Sequence, residues 1–522
     1  MIVPDYNFMT PMVLEKILEV PIHKALGKKE LNRISSIQAN YDYYNGMQHY
    51  DEDLNAYVYP HEVDDWEGRA YKPTRFTINH FKSFIKRKSR WQMAGQHTLN
   101  VLPKSEEESD IEQAKNIESV LYDIWEDNEM DSQKMQIARE RLIAGSIACK
   151  LSYNERTGKL HWIWHKATEV FPTYSQDGFN DLLECHIIRT IEDPDDSSKV
   201  NYVVQHFWLD DDQNECYLSE KIYDFNLEVK KVILEDKSLG FNFVPVIMFD
   251  VKTLATEPSY FEDIEDMKII TRTINDMMED ASDSLKFEMF AMTVVKNADL
   301  GEDVNLEIAP GALLKVNSDN TSLPADVSTV ETSFNWKETY KDQYNRLKSA
   351  LHELAGLPQV TPTELNFGGM NDRALQVLYQ EIIQETQEHW LMWEKDFKTL
   401  FEYSIRYLQA RSSTRNFDYD KTIVDSIEKF KSEMKFQLPL PDDRTDLVAL
   451  LKEELELGLE SRKHAMKRLG VKDPDSLMQE IYDELQGDLD ARSPYEESPT
   501  VEINREVEED VGNVEFNEEE SK

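Results

Sequence analysis

Between Trp336 and Gln409 the chain reads as an amphipathic helix, a loop broken by proline and glycine, and a much longer helix. No other stretch restricts the fold as strongly. From Asn335 to Ala355, Trp336, Tyr340, Tyr344, Leu347, Leu351 and Leu354 recur at spacings of three and four, the mark of one buried stripe. Gly356 and Pro358 stop that helix. The segment Gln359 to Asn371 holds Pro362 and the pair Gly368-Gly369, so it continues neither neighbour. Beyond it Leu375, Leu378, Ile382, Trp390, Trp393, Phe397, Leu400, Phe401 and Leu408 keep a helical beat. Residues 372–410 would make a rod about 58 Å long at ~1.5 Å per residue, longer than a compact enzyme needs.

Bulk properties narrow the reading. The 522 residues carry 58 Lys and Arg against 101 Asp and Glu, a formal net charge of −43. Such a chain is poorly suited to gripping phosphates; it suits a surface that nucleic acid passes without adhering. Gly and Pro number only 17 and 19, which fits an α+β, predominantly helical fold. Cys149, Cys185 and Cys216 are scattered and odd in number, indicating a reducing compartment and no disulfide or zinc framework. The N-terminus lacks the basic-then-apolar block of a signal peptide. The most apolar run, Phe241 to Phe249, falls short of the ~18 residues of a membrane helix.

In chain order, residues 1–150 read mainly as helix, with Met12–Leu18 and Lys28–Tyr44 periodic and the second closed by Tyr44-Asn-Gly46. After a loop over 49–74, residues 77–90 form an amphipathic segment with a basic face of Lys82, Lys86, Arg87, Lys88 and Arg90. That face is solvated, pairs with carboxylates of its own chain, or meets DNA or an acidic neighbouring subunit. Helices follow over 105–128 and 132–149. From Ile147 the period becomes two, and six strands between Ile147 and Leu234 predict a meandering antiparallel sheet. The strand Phe243–Phe249 precedes a helix over Phe261–Phe287. One face of it is apolar; the other carries an acidic run that includes Asp266, Asp276, Glu279, Asp280 and Asp283. This is either an ordinary solvated face or a wall that repels phosphates. Short strands occupy 288–335. After Gln409 come a polar bend, a helix-and-strand segment to Pro441 and two short helices within 443–486. From Gly487 the chain is acidic and without apolar period, predicting disorder.

Several phrases resemble tailed-phage portal proteins of phages of Gram-positive bacteria. They are Leu354-Ala-Gly-Leu-Pro358, then Asn366-Phe-Gly-Gly-Met-Asn-Asp-Arg-Ala-Leu375 leading into a long helix; the early helix ending Tyr-Tyr-Asn-Gly46; the Val-Pro-Val strand before residue 258; and Leu469-Gly-Val-Lys-Asp-Pro474. Asn371-Asp372-Arg373 stands where the family usually has Ser-Gly at the loop-to-helix junction. The resemblance implies a portal fold: wing over 1–256, stem helix 257–287, clip 288–335, second stem helix 336–356, tunnel loop 357–371, long kinked helix and return to the wing 372–438, crown 439–486 and an acidic tail 487–522. It implies a homo-oligomeric ring, a dodecamer, at one capsid vertex of the virion, assembled in the host cytoplasm. Double-stranded DNA would pass through the tunnel during packaging and ejection. Terminase, a head-completion adaptor, and the major capsid and scaffolding proteins would be the partners. On that reading Asn366, Phe367, Gly368, Gly369, Met370 and Asn371 face DNA, and Asp276, Glu279 and Asp283 line an acidic tunnel wall.

No catalytic set, cofactor or metal is expected from spacing. Gly27-Lys28-Lys29 lacks the upstream glycine of a phosphate loop. His161 and His165 point one way along a strand, too far apart to share an ion, and read as satisfied surface histidines. Asp210–Glu215 lacks the glycine and closing glutamate of an EF-hand and reads as a hairpin turn. Two rival classes remain: an acidic helical capsid-assembly scaffold that never meets DNA, and a metal-dependent nuclease. The helix–small β module–helix order favours a portal over the first, and the lack of a clustered nuclease signature counts against the second.

Overall fold

The computed structural model describes residues 11–19, 25–51, 56–62, 73–175, 177, 179, 181–193, 199–210, 214–251, 259–289, 292–296, 298–299, 317–318, 326–330, 336–359, 377–439, 444–471 and 474–492. By internal contacts it divides into two units, residues 1–439 and 440–522.

The larger unit starts with helices α1 (Pro11–Ile17) and α2 (Ala25–Asn45) and the hairpin β1 (His49–Asp51) and β2 (Ala56–Val58). Gly46, at φ +109°, ends α2 at the predicted Tyr-Asn-Gly turn, where its N–H and that of Met47 donate to the Asp42 carbonyl. Helix α3 (His80–Met93) begins at Asn79, whose side chain accepts from the Lys82 N–H at 2.9 Å and donates to the Tyr44 carbonyl at 2.9 Å. One residue thus caps α3 and ties it to the end of α2. Then come β3 (His97–Leu102), α4 (Glu108–Asp127) and α5 (Met130–Ala144). Helix α5 ends at Gly145, φ +75°, and β4 starts at once at Ser146. The predicted helix over 132–149 is therefore shorter, because Gly145 turns the chain and residues from Ser146 pair with the strands Lys159–Lys166 and Val246–Asp250.

Eight strands follow: β4 (Ser146–Asn154), β5 (Lys159–Lys166), β6 (Val170–Tyr174), β7 (Leu182–Glu192), β8 (Val200–Asp210), β9 (Glu215–Tyr223), β10 (Val229–Ser238) and β11 (Val246–Asp250). They make two antiparallel sheets rather than one meander: five strands in the order β10-β9-β8-β7-β6, and three in the order β11-β4-β5. The turn after Asp210 is a hairpin, with Asp210 opposite Glu215 in register. His165 is buried beside Glu169 at 3.1 Å rather than on the surface, while His161 lines an open groove of about 740 Å³ with Asp127, Asn128 and Trp162.

Helix α6 (Ser259–Met289) leads into a small β module, with β12 (Met292–Lys296) paired to β15 (Asp326–Val330) and β13 (Ala298–Asp299) to β14 (Asn317–Ser318). Helix α7 (Trp336–Leu354) packs back along α6 and closes at Gly356, φ +63°. Helix α8 (Gln380–Arg411) is the predicted rod, about 48 Å long at ~1.5 Å per residue; residues 360–376 before it lie outside the described ones. It buries Trp393, Phe397, Leu400, Phe401 and Leu408 in the main core with Trp125, Trp162 and Phe249. Trp390 and Trp393 donate their indole N–H groups to the Gln92 carbonyl and side chain, at 2.8 and 3.2 Å, docking α8 on the end of α3. Removing one such aromatic costs about 3–5 kcal/mol. Helix α9 (Lys421–Ser426) and β16 (Lys431–Phe436) return the chain to pair with β3, Met434 opposite Leu99.

The second unit holds α10 (Arg444–Glu456), α11 (Arg462–Arg468) and α12 (Pro474–Arg492), with Arg468 bridging Glu454 and Glu460 at 2.6 and 3.1 Å. The expectation of disorder from Gly487 meets helix through Arg492; residues 493–522 lie outside the described ones.

Candidate functional site

Helix α6 carries the acidic run that sequence reasoning assigned to a tunnel wall, and its carboxylates have two fates. Asn275, Glu279 and Asp283 are four residues apart, so they stack on one face. Across that face residues 73–79 run extended and antiparallel to the helix. Asn275 Oδ1 accepts from the Ile78 N–H at 3.0 Å, Glu279 Oε1 from the Phe76 N–H at 3.0 Å, and the Asp283 oxygens from the Thr74 N–H at 3.1 and 3.0 Å. Every second residue of an extended chain advances about 6.6–6.8 Å, and four helical residues advance about 6 Å, so the two repeats stay in step for three rungs. Side chains of α6 thus complete a backbone that has no sheet partner there.

The middle rung is the deepest. The Glu279 side chain is 2% exposed and also takes Arg75 Nη1 at 2.8 Å and His49 Nε2 at 2.7 Å. Burial pushes its pKa up, but the bonds from His49, Phe76 N–H and Arg75 outweigh that and hold the carboxyl below its ordinary value. Asp283 is likewise held low: some desolvation is overcome by the Thr74 hydroxyl and N–H and by Lys286 at 3.2 Å. These two carboxylates are turned into their own chain and engaged by residues 74–76, His49 and Lys286. Asp276, the third expected wall residue, is exposed, and with Asp266 and Asp280 it marks an adjoining, solvent-facing stripe of α6, about 100° round the helix. Burial and the neighbouring Glu279 charge raise its pKa.

The basic face of α3 divides in the same way. Lys88 Nζ meets Glu385 at 2.7 Å and Lys82 Nζ lies 5.3 Å from the Tyr44 ring centroid. Lys86 is half-buried, and Arg87 and Arg90 are exposed. Arg87 shares its surroundings with Lys348 and His352 of α7, and burial together with these cations lowers the pKa of His80. The loop residues Asn366, Phe367, Gly368, Gly369, Met370 and Asn371 lie outside the described residues. Sequence reasoning missed the partners of α6: Thr74, Arg75 and Phe76 sit in a stretch without period, and only its Pro73 hinted at an extended backbone.

Helix α7 touches the body along a narrow stripe, Trp336, Tyr340, Tyr344, Leu347 and Leu351, while Lys337, Glu338, Lys341, Asp342 and Arg346 are exposed. Tyr340 donates its hydroxyl to Met278 of α6, and the bases of both helices enter a shared core with Phe81, Phe84 and Tyr43. No helix among the described residues is long and apolar enough to cross a membrane. A two-helix hairpin thus stands on a body of helices and antiparallel sheets and leads into a small β module. A family model described as phage portal protein, SPP1 Gp6-like, matches residues 23–490. The chain therefore belongs to that family of phage portal proteins, the connector of the capsid through which DNA is packaged. No curated protein matches it.

Proposed function

We propose that copies of this chain close into a dodecameric ring with the α6–α7 hairpin as the tunnel wall, and that the wall's charge comes from Asp266, Asp276 and Asp280 rather than from Glu279 or Asp283. The observation that carries this reading is the family match over 23–490 together with the helix–β module–helix order it spans. The exposed stripes of α6 and α7 fit it, since a hairpin so lightly covered by its own chain leaves two faces for neighbouring copies and for the lumen. A row of carboxylates on the lumen side repels phosphates and lets a duplex slide.

Residues 357–371 act as the tunnel loop, meeting DNA weakly and without reading sequence, through Asn366, Phe367, Asn371 and backbone amides. Terminase and then a head-completion adaptor dock on the module 288–335, and the ring is set into the shell with major capsid and scaffolding proteins. The test has two arms. Class averages of purified protein by electron microscopy should show rings with a central hole; fibres or separate globules would sink the reading. Lys at 266, 276 and 280 should then leave the rings intact, give them salt-sensitive DNA affinity and stall packaging. Deleting Leu365 to Met370 should spare assembly and impair packaging, whereas normal packaging would remove the loop from the DNA path.

A further inference from the structure

The five-stranded sheet has a feature unrelated to the tunnel. On its core side, Cys185, Ile187, Phe207 and Cys216 face the main core. On the other side, Ile188, Tyr202 and Val204 lie in a smaller core with Val13 and Leu14 of α1. Further along that second side stand Glu184, His186, His206 and Trp208, only partly buried. His186 and His206 are register partners on the two adjacent inner strands β7 and β8, and Glu184 precedes His186 by two residues, hence on the same face.

We propose that Glu184, His186 and His206 form a binding site for a divalent transition-metal ion of the Zn²⁺ class. Their donor atoms all lie within 4.8 Å of one another. Both imidazoles turn Nε2 toward Glu184 Oε1, His206 at 2.6 Å and His186 at 3.9 Å. An ion about 2.1 Å from each of three donors in a tetrahedral array sets them about 3.4 Å apart, and those two separations straddle that value. The rings lie face to face, 3.9 Å between centroids and 7° from parallel. To reach one ion they tilt toward each other about χ2, the soft torsion of histidine. His206 and Glu184, at 30% and 37% side-chain exposure, have room to move. Two imidazoles and one carboxylate select Zn²⁺, Ni²⁺ or Cu²⁺ over the Mg²⁺ and Ca²⁺ that all-oxygen sites prefer. Three protein ligands leave a fourth position open to water. Binding replaces the hydrogen bond between His206 and Glu184, and each neutral imidazole that ligates through Nε2 carries its proton on Nδ1. The ion would pin β7 to β8 at the end of the sheet face that α1 leaves uncovered.

The site reports on itself. Trp208 stacks on His206 at 4.6 Å, so Cu²⁺ bound there quenches its fluorescence. The full-length protein is titrated calorimetrically with ZnCl₂ in excess Mg²⁺, which occupies the many carboxylates. One Zn²⁺ per chain should bind with a micromolar or tighter Kd. His186→Asn and His206→Asn should each weaken it by about tenfold or more, with circular dichroism unchanged. In the wild-type protein, Cu²⁺ quenching should saturate at one equivalent, and Trp208→Phe should remove most of it. Absence of saturable Zn²⁺ uptake at micromolar concentration would overturn the proposal and leave the cluster as a hydrogen-bonded surface network. Uptake unchanged in the double His variant would overturn it equally, placing the ion elsewhere. Neither result bears on the portal reading, which rests on other residues.

Discussion

The two acidic stripes of α6 are indistinguishable in composition and opposite in use. On one, Glu279 and Asp283 have left solvent to hold residues 74–76; on the other, Asp266, Asp276 and Asp280 remain in water. A carboxylate repels phosphate only while its charge is uncompensated and exposed. Glu279, ringed by Arg75, His49 and an amide, is electrically spent. The net charge of a helix therefore says little about the field it projects; which side of the helix the charge occupies says most of it.

The contrast breaks most visibly at its deepest point. Glu279→Ala removes a buried carboxylate that His49 and Arg75 share and leaves the Phe76 amide without its acceptor, so it should lower stability by about 3 kcal/mol, read as the denaturant midpoint at constant slope. A loss below about 1 kcal/mol would mean that the inner stripe is no more structural than the outer. Asp283→Ala, nearer the surface, should cost about 1–3 kcal/mol and speed hydrogen exchange at the Thr74 amide while leaving that of Ile78 slow. Acid should tell the stripes apart as well. Glu279 and Asp283 titrate below their ordinary values in the folded chain, so their stabilisation is complete above the unfolded carboxylate pKa near ~4. It is lost as pH falls through the lower folded values. Stability should thus decline below about pH 4, with Glu279→Gln flattening that decline; an unchanged slope would clear Glu279 of the role. Smallest of all, Asp276→Asn and Asp280→Asn should each change stability by no more than about 0.5 kcal/mol, a difference that thermal melts barely resolve.

Wherever one period ran unbroken, the sequence made the fold legible. The stripe Trp336–Leu351 and the beat from Ile382 to Leu408 became α7 and α8, and the alternating segments from Ile147 onward became strands. What stayed hidden were pairings between distant segments. Nothing local tells that Lys431–Phe436 will pair with His97–Leu102, or that β4 and β5 will leave the other strands to form a sheet with Val246–Asp250. The same blindness governed the site. Glu279 looks like any other acid on a polar face until Thr74, Arg75 and Phe76, some two hundred residues earlier, are laid across it. His186 and His206 become neighbours only once the register of β7 and β8 is known. In both cases the informative quantity is a contact between residues far apart in the chain, and composition does not encode it.

The three-rung ladder between α6 and residues 74–78 has a mechanical side. Each rung sits at one azimuth of the helix, so turning α6 by a single residue, about 100°, would misplace all three acceptors together. The segment behaves as a spline in a shaft: it resists twist about the helix axis more than it resists bending. Torque delivered at the far end of the α6–α7 hairpin cannot be dissipated by α6 spinning in its seat. It passes through Asn79 and the cap of α3 into the core beneath, and the hairpin and its root turn as one stiff lever.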